Sequence, residues 1–385
     1  MIINTANRIS EVKEYYFSTK LKEIENLKNK GKDILSLGIG SPDITPENQV
    51  INELNMQSLK KENHMYQSYI GIEELRTSIA NFYYRYYQVY LNFENEVLPL
   101  LGSKEGIMHI SMAFLNKGDK VLVPDPGYPT YTSVSNLLET EVLKYNLDEN
   151  NNWEPDFNEI EKQDLTKVKI MWVNYPNMPT GAPAKIELYK KIIDFAKKHN
   201  ILIVNDNPYS FILHNKQMSI LSVEGAKDVA IELNSLSKSH SMAGWRIGMI
   251  LGNKHYISAI LKVKSNMDSG MFKPIQLAAS KALELGHNYF INLNKEYFKR
   301  RNLIYKILDE LGCTYNKKYG GVFVWAKVPE KYKNGVELSD KLLYDKNVFL
   351  TPGIVFGNQG DKYVRLSLCC SQTKIKEVLT RIKSK

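Results

Sequence analysis

Lys238 is the residue of this chain best placed to do covalent chemistry. It lies in S-L-S-K-S-H-S-M-A-G-W-R-I-G, Ser235 to Gly248, where an apolar run of strand type, Val229 to Leu233, delivers the lysine into a stretch of small polar residues. Arg246 follows eight positions later. A lysine amine condenses with aldehydes, Ser235 and Ser237 offer short hydroxyl donors, and Arg246 offers a forked cation suited to phosphate. Gly244 lets backbone come close. Taken alone, the same stretch also reads as a solvated turn between a strand and a helix.

Further groups of the same kind recur along the chain. D-N-P-Y places Asp206 and Tyr209 after the apolar run I-L-I-V-N. D-P-G-Y-P-T-Y holds Tyr128 between Gly127 and Pro129, a rigid aromatic face. G-S-K-E-G, Gly102 to Gly106, enters a helix that runs toward Leu115. The free backbone N–H groups of that helix start make an anion site beside a serine hydroxyl. Y-P-N-M-P-T-G, with Asn177 and Met178, follows V-K-I-M-W-V-N, and a glycine-rich edge runs from Gly38 to Pro46 through Gly40; taken singly, each of these loops and that edge also reads as a plain surface turn. Arg365 sits among apolar neighbours in Y-V-R-L-S-L, either as a satisfied structural arginine or as a carboxylate clamp.

The elements that must position these groups are legible as periodicity. From Val97 onward, seven short β-branched runs alternate with helical patterns: V-L-P-L-L, K-V-L-V-P, V-L-K-Y-N-L, V-K-I-M-W-V-N, I-L-I-V-N-D, V-A-I-E-L and W-R-I-G-M-I-L-G. Alternation of that kind predicts an α/β fold with a mostly parallel sheet flanked by helices. In such sheets ligands sit beyond the carboxyl ends of strands, where the polar loops above fall. From about Lys273 the pattern changes to long helices up to residue 311, then the strands G-G-V-F-V-W-A-K-V and Y-V-R-L-S-L with helices at Leu338 to Asp345 and Ile375 to Lys383, predicting a smaller α+β domain. Residues 1 to 31, with Tyr15, Phe17, Leu21, Ile24 and Leu27 among charges, predict an amphipathic helical arm ended by Gly31.

Composition narrows the classes. At 385 residues, 43% apolar and 24% charged, the chain is that of a globular protein long enough for two domains. No apolar run approaches the roughly 18 to 20 residues of a membrane span, and the N-terminus lacks a signal peptide's apolar core, so a cytoplasmic protein is expected. The three cysteines, Cys313, Cys369 and Cys370, have neither disulfide-framework nor zinc spacing, and no metal is expected. The net charge of +9 is scattered along amphipathic helices such as Lys185 to Lys198 and Lys295 to Lys306, which argues against nucleic acid. A mild positive field draws small anions instead.

With these motifs together, the chain resembles the class I/II aminotransferases, the pyridoxal-phosphate enzymes built like aspartate aminotransferase. The likeness runs from G-I-G-S-P-D near residue 40 to G-D-K-Y-V-R-L-S near residue 365 in the family's order. It implies an N-terminal arm and part of the small domain in 1–45, a large pyridoxal-phosphate-binding domain in 46–285 and a small C-terminal domain in 286–385. It implies that Lys238 forms the Schiff base and shuttles the α-proton, that Asp206 pairs with the pyridine nitrogen, and that Tyr209 donates to the ring oxygen. Gly102, the backbone of Ser103 and Lys104, Ser235, Ser237 and Arg246 are expected to hold the phosphate, with Tyr128 stacked on the ring. Tyr66 resembles the tyrosine that reaches the neighbouring subunit's phosphate, which implies a homodimer with shared sites. Gly40 and Arg365 resemble the pair that receives the substrate α-carboxylate.

One position departs from the family's N-P-T-G, since Met178 stands where the asparagine that donates to the ring oxygen is expected. Asn177 is the substitute assigned to the cofactor site, with Asn174 the alternative. G-S-K-E-G-I-M-H-I, D-P-G-Y-P-T-Y and N-Y-P-N-M-P-T-G-A are also similar to the corresponding loops of diaminopimelate-type aminotransferases. The expected reaction is ping-pong transfer of an amino group from an L-amino acid to a 2-oxo acid. A β-lyase or another α-carbanion enzyme of the same fold needs the same lysine. A non-enzymatic sensor would need an added DNA-binding domain, and with only a short stretch before the first strand such a sensor is not expected.

Overall fold

The computed structural model describes residues 3–10 and 16–384; Tyr15 of the expected arm lies outside them. Seven strands form the central sheet: β1 Val97–Leu100, β2 Lys120–Asp125, β3 Glu141–Asn146, β4 Val168–Val173, β5 Leu202–Asp206, β6 Ala230–Ser235 and β7 Gly248–Gly252. Their order is β1-β7-β6-β5-β4-β2-β3, and only β7 runs antiparallel to its neighbours. This is the mostly parallel sheet that the alternating runs predict.

Both faces of the sheet are covered, which explains why its strands are nearly continuous in apolar residues. Ile170, Trp172, Val204, Ile231 and Leu233 pack on one face, while Met171, Val173, Ile203 and Ala230 pack on the other. The period of two within each strand sets this division. A buried carboxylate interrupts it: Glu232 of β6 accepts from Tyr83 Oη at 2.8 Å, Asn205 Nδ2 at 3.0 Å, Asn207 Nδ2 at 3.2 Å and the Ile220 amide at 3.0 Å. Four donors meet the acceptor capacity of a charge that would otherwise be costly to bury.

A second sheet of four strands carries β8 Phe323–Lys327 antiparallel to β9 Tyr363–Ser367, with Trp325 opposite Arg365. The N-terminal segment joins this part of the molecule. Leu35 and Ser36 pair in parallel with Val348 and Phe349, and Ile24 of the helix Tyr16–Asn29 packs with Ile34, Leu343 and Phe349. The chain end that begins far from β9 in sequence is therefore brought to the edge of the cavity described next. No helix among the described residues is long and apolar enough to cross a membrane.

Candidate active site

A cavity of about 590 Å³ opens beyond the carboxyl ends of β2, β4, β5 and β6. Of the residues singled out from sequence, Gly40, Ser103, Lys104, Tyr128, Asp206 and Tyr209 line it, as do Ser235, Ser237, Lys238, Arg246 and Arg365. Gly102, Asn177 and Tyr66 do not. Four cationic side chains thus face one carboxylate, an arrangement that favours anions.

Lys238 sits on a one-turn helix, Leu236–Ser239, directly after β6, rather than in an open loop. The helix forms because the His240 amide returns to the Leu236 carbonyl at 3.2 Å. Lys238 Nζ donates to the Gly40 carbonyl at 2.5 Å, and burial, followed by the nearby Arg365 and Arg246 charges, lowers its pKa. Lowering favours the neutral amine that attacks an aldehyde.

Asp206 ends β5. Its Oδ2 accepts from Tyr131 Oη at 2.9 Å, while its buried Oδ1 has no hydrogen-bond partner among the described residues. Burial pushes its pKa up to about 7. Tyr131, the last residue of D-P-G-Y-P-T-Y, is stacked on Trp172 at 4.8 Å and holds the Asp206 carboxylate, a contact its motif does not announce. The pairing crosses 75 residues, so local pattern carried no signal of it.

The raised pKa makes a prediction for the protein without cofactor. An unfolded aspartate titrates near 3.9, so the native state holds more protons than the unfolded state between about 4 and about 7. Asp206 therefore lowers stability as pH rises through that window. Asp206→Asn is expected to flatten that part of the stability profile in melts run from pH 4 to 8, leaving the share owed to Glu232. An unchanged slope contradicts the assignment.

The helix Ser103–Phe114 points its N-terminus at the cavity, capped by Gly102 at φ +89°. A Cβ on Gly102 would lie 2.1 Å from Arg246 Nη2, so the glycine, although it does not line the cavity, is what lets the guanidinium lie across the helix start. Close approach also occurs at Gly248, whose Cβ would meet the Ser103 amide nitrogen at 2.5 Å. At Gly244 the expected close approach is not found, because a Cβ there would meet nothing within 4 Å. The residue lies in an exposed turn beside the arginine.

Arg365 is 7% exposed and lies between two rings, with its guanidinium carbon 3.8 Å from the Phe323 centroid and 4.4 Å from that of Phe356. Nη2 donates to the Gly38 carbonyl at 3.2 Å, Nη1 meets only the Met178 thioether at 3.3 Å, and Nε has no partner among the described residues. Burial pulls its pKa down to about 10, so it remains a cation at neutral pH with donors to spare. Gly40 is required beside it, since a Cβ there would stand 2.3 Å from Phe323 Cζ.

The carboxamide of Asn177 is spent behind the cavity wall, Nδ2 on the Asn174 carbonyl at 3.2 Å and Oδ1 on Thr180 Oγ1 at 2.7 Å. Asn174 does line the cavity, but its Nδ2 donates to the Asp206 carbonyl and its Oδ1 accepts from the Met178 amide at 2.8 Å. Tyr66 lies elsewhere, 90% exposed.

The sheet order, the cavity at its carboxyl edge and the second sheet closing one side are the architecture of the fold-type I aminotransferases. The chain belongs to the class I and II aminotransferase family, whose model matches residues 32–382, and it is a transaminase. It is 39% identical over 382 residues to the LL-diaminopimelate aminotransferase of Natranaerobius thermophilus, covering 99% of each chain. Among solved structures it is similar to substrate-bound BacF from Bacillus subtilis, with a TM-score of 0.95 at 35% identity, covering 99% of this chain and 97% of that one. An aminotransferase from Staphylococcus aureus superposes with a TM-score of 0.89 at 30% identity, covering 98% of both. The family is pyridoxal-phosphate-dependent.

Proposed function

We propose that this chain binds pyridoxal 5'-phosphate in the cavity and uses Lys238 to move an amino group from an L-amino acid to a 2-oxo acid. The observation that carries this reading is that one cavity is lined by the Lys238 amine, by Asp206, whose buried Oδ1 has no partner among the described residues, and by the N-terminus of the helix that follows β1. The bound cofactor supplies an aldehyde and a ring that accepts the electron pair left when the substrate α-proton departs.

This chain's side chains divide the remaining work. The Ser103 and Lys104 amides, the Ser235 and Ser237 hydroxyls and Arg246 hold the phosphate. Asp206 Oδ1 keeps a proton on the pyridine nitrogen, and Tyr128 presents its ring to the cofactor. Tyr209 donates to the ring oxygen, with Met178 unable to do so. Arg365 takes the α-carboxylate through its unspent donors, and Lys238 Nζ carries the α-proton. The proposed division into domains near residues 45 and 285 is supported by the pairing of Leu35 and Ser36 with Val348 and Phe349.

A homodimer with shared sites accords with the exposed apolar surface at Met65, Tyr66, Tyr69, Met267 and Phe272. The two segments that form it are adjoining, since a Cβ on Gly270 would lie 2.4 Å from the Gln67 carbonyl oxygen. Tyr66 on that surface is the residue proposed to reach the partner's phosphate.

The test is a single half-reaction. Holoenzyme mixed with one amino donor in the absence of any 2-oxo acid is expected to yield pyridoxamine phosphate and the donor's 2-oxo acid in equal amounts. Release of ammonia with unchanged pyridoxal phosphate would instead mark a β-lyase.

A further inference from the structure

The charged groups of the cavity are nearly all committed. Lys104, Asp206, Lys238, Arg246 and Arg365 are its charged lining residues, and the function proposed above engages all but the Lys104 side chain. Lys104 is exposed and lies at the helix start beside Arg246 and the phosphate cradle. The wall near Arg365 has another character. It is built by Phe323 and Phe356, whose rings cover the two faces of the guanidinium, with Val355 and Met178 beside them. Leu21 from the N-terminal helix and Ile39, next to Gly40, line the same cavity, and Ile39 is 47% exposed. The polar residues that accompany these two, Ser18 and Ser41, are uncharged.

We propose that this compartment selects an amino acid with an uncharged, apolar side chain, aromatic or branched aliphatic, over one bearing a second carboxylate or a second amino-acid head group. The inference rests on Arg365 holding the α-carboxylate. Once that contact is made, the in-plane donors of Arg365 are used, and its two faces are closed by aromatic rings. A second carboxylate would enter an apolar wall that, among the described residues, offers no cation to pair it, and an unpaired buried charge is strongly disfavoured. An apolar side chain would instead bury Ile39 and Leu21, removing from water an aliphatic surface that is otherwise half-exposed. Ile39 and Leu21 are thereby assigned as specificity-determining residues.

The test compares two unreactive carboxylates on the holoenzyme by calorimetry, 3-phenylpropanoate and glutarate. Both offer Arg365 the same group and neither has an amine to transfer. The wild type is expected to bind 3-phenylpropanoate roughly tenfold or more tightly than glutarate. Ile39→Arg is expected to shrink that preference by roughly tenfold, by supplying the missing cation. Leu21→Arg gives the same readout should circular dichroism show the first variant unfolded. Glutarate binding as well as 3-phenylpropanoate to wild type overturns the inference, whether the pairing charge comes from this chain or from a partner subunit, and so does binding of neither. Failure of every amino donor to produce pyridoxamine phosphate overturns the proposed function instead, and the two carboxylates can still be ranked, so the two failures are separable.

Discussion

Lys238→Ala is expected to lower the rate of amino transfer on the order of 10⁴-fold or more, because one substitution removes both the nucleophile and the group that carries the α-proton. The fold should survive it. Among the described residues the amine makes one hydrogen bond, to the Gly40 carbonyl at 2.5 Å, and the one-turn helix that carries it is held by backbone contacts and by its apolar neighbour Leu236. Loss of one such bond costs about 1 kcal/mol, and the removal of a partly buried ammonium offsets part of that. A thermal melt within a few degrees of wild type, with turnover gone, is the expected pair of results. Retained turnover would remove Lys238 from the chemistry.

The second large effect is expected at Arg365→Lys. Among the described residues the guanidinium presents Nε without a partner and Nη1 against a thioether, a weak acceptor, so this part of its fork is free to receive a carboxylate in two parallel bonds. Lysine has a single rotatable ammonium and cannot reproduce either the fork or the stacking between Phe323 and Phe356. The loss should be on the order of 2 kcal/mol, which is roughly 30-fold in kcat/KM. Since the α-carboxylate is common to all amino donors, the factor should be similar for each of them. A loss confined to one donor would show that Arg365 reads the side chain.

Much of the fold and of the cavity was legible because its signals are local. A strand buried on both faces is apolar throughout, so β1 to β7 stand out as short β-branched runs, and the rule that ligands sit at carboxyl ends then collects Ser103, Tyr128, Asp206 and Lys238 around one space. What escaped depends on contacts between distant residues. Tyr131 meets Asp206 across 75 positions, and Glu232, hidden in the apolar run V-A-I-E-L, meets Tyr83 across 149. The choice between a structural and a clamping arginine at 365 could not be made from alternation, because it turns on contacts with Phe323, Phe356, Gly38 and Met178 that alternation along one strand does not report. The same holds for Asn177 and Asn174. Their spacing from Met178 is visible in sequence, but only the fold shows both carboxamides spent on neighbours within the loop and on β5. Gly244 illustrates the opposite error, a glycine whose freedom is not used for close packing.

The most direct measurement is to load the protein with pyridoxal phosphate, reduce it with borohydride and map the attachment by peptide mass. One cofactor per chain is expected, linked to the peptide that contains Lys238 and absent from Lys238→Ala treated in the same way. Attachment at Lys104 or any other lysine, or no attachment at all, would contradict it.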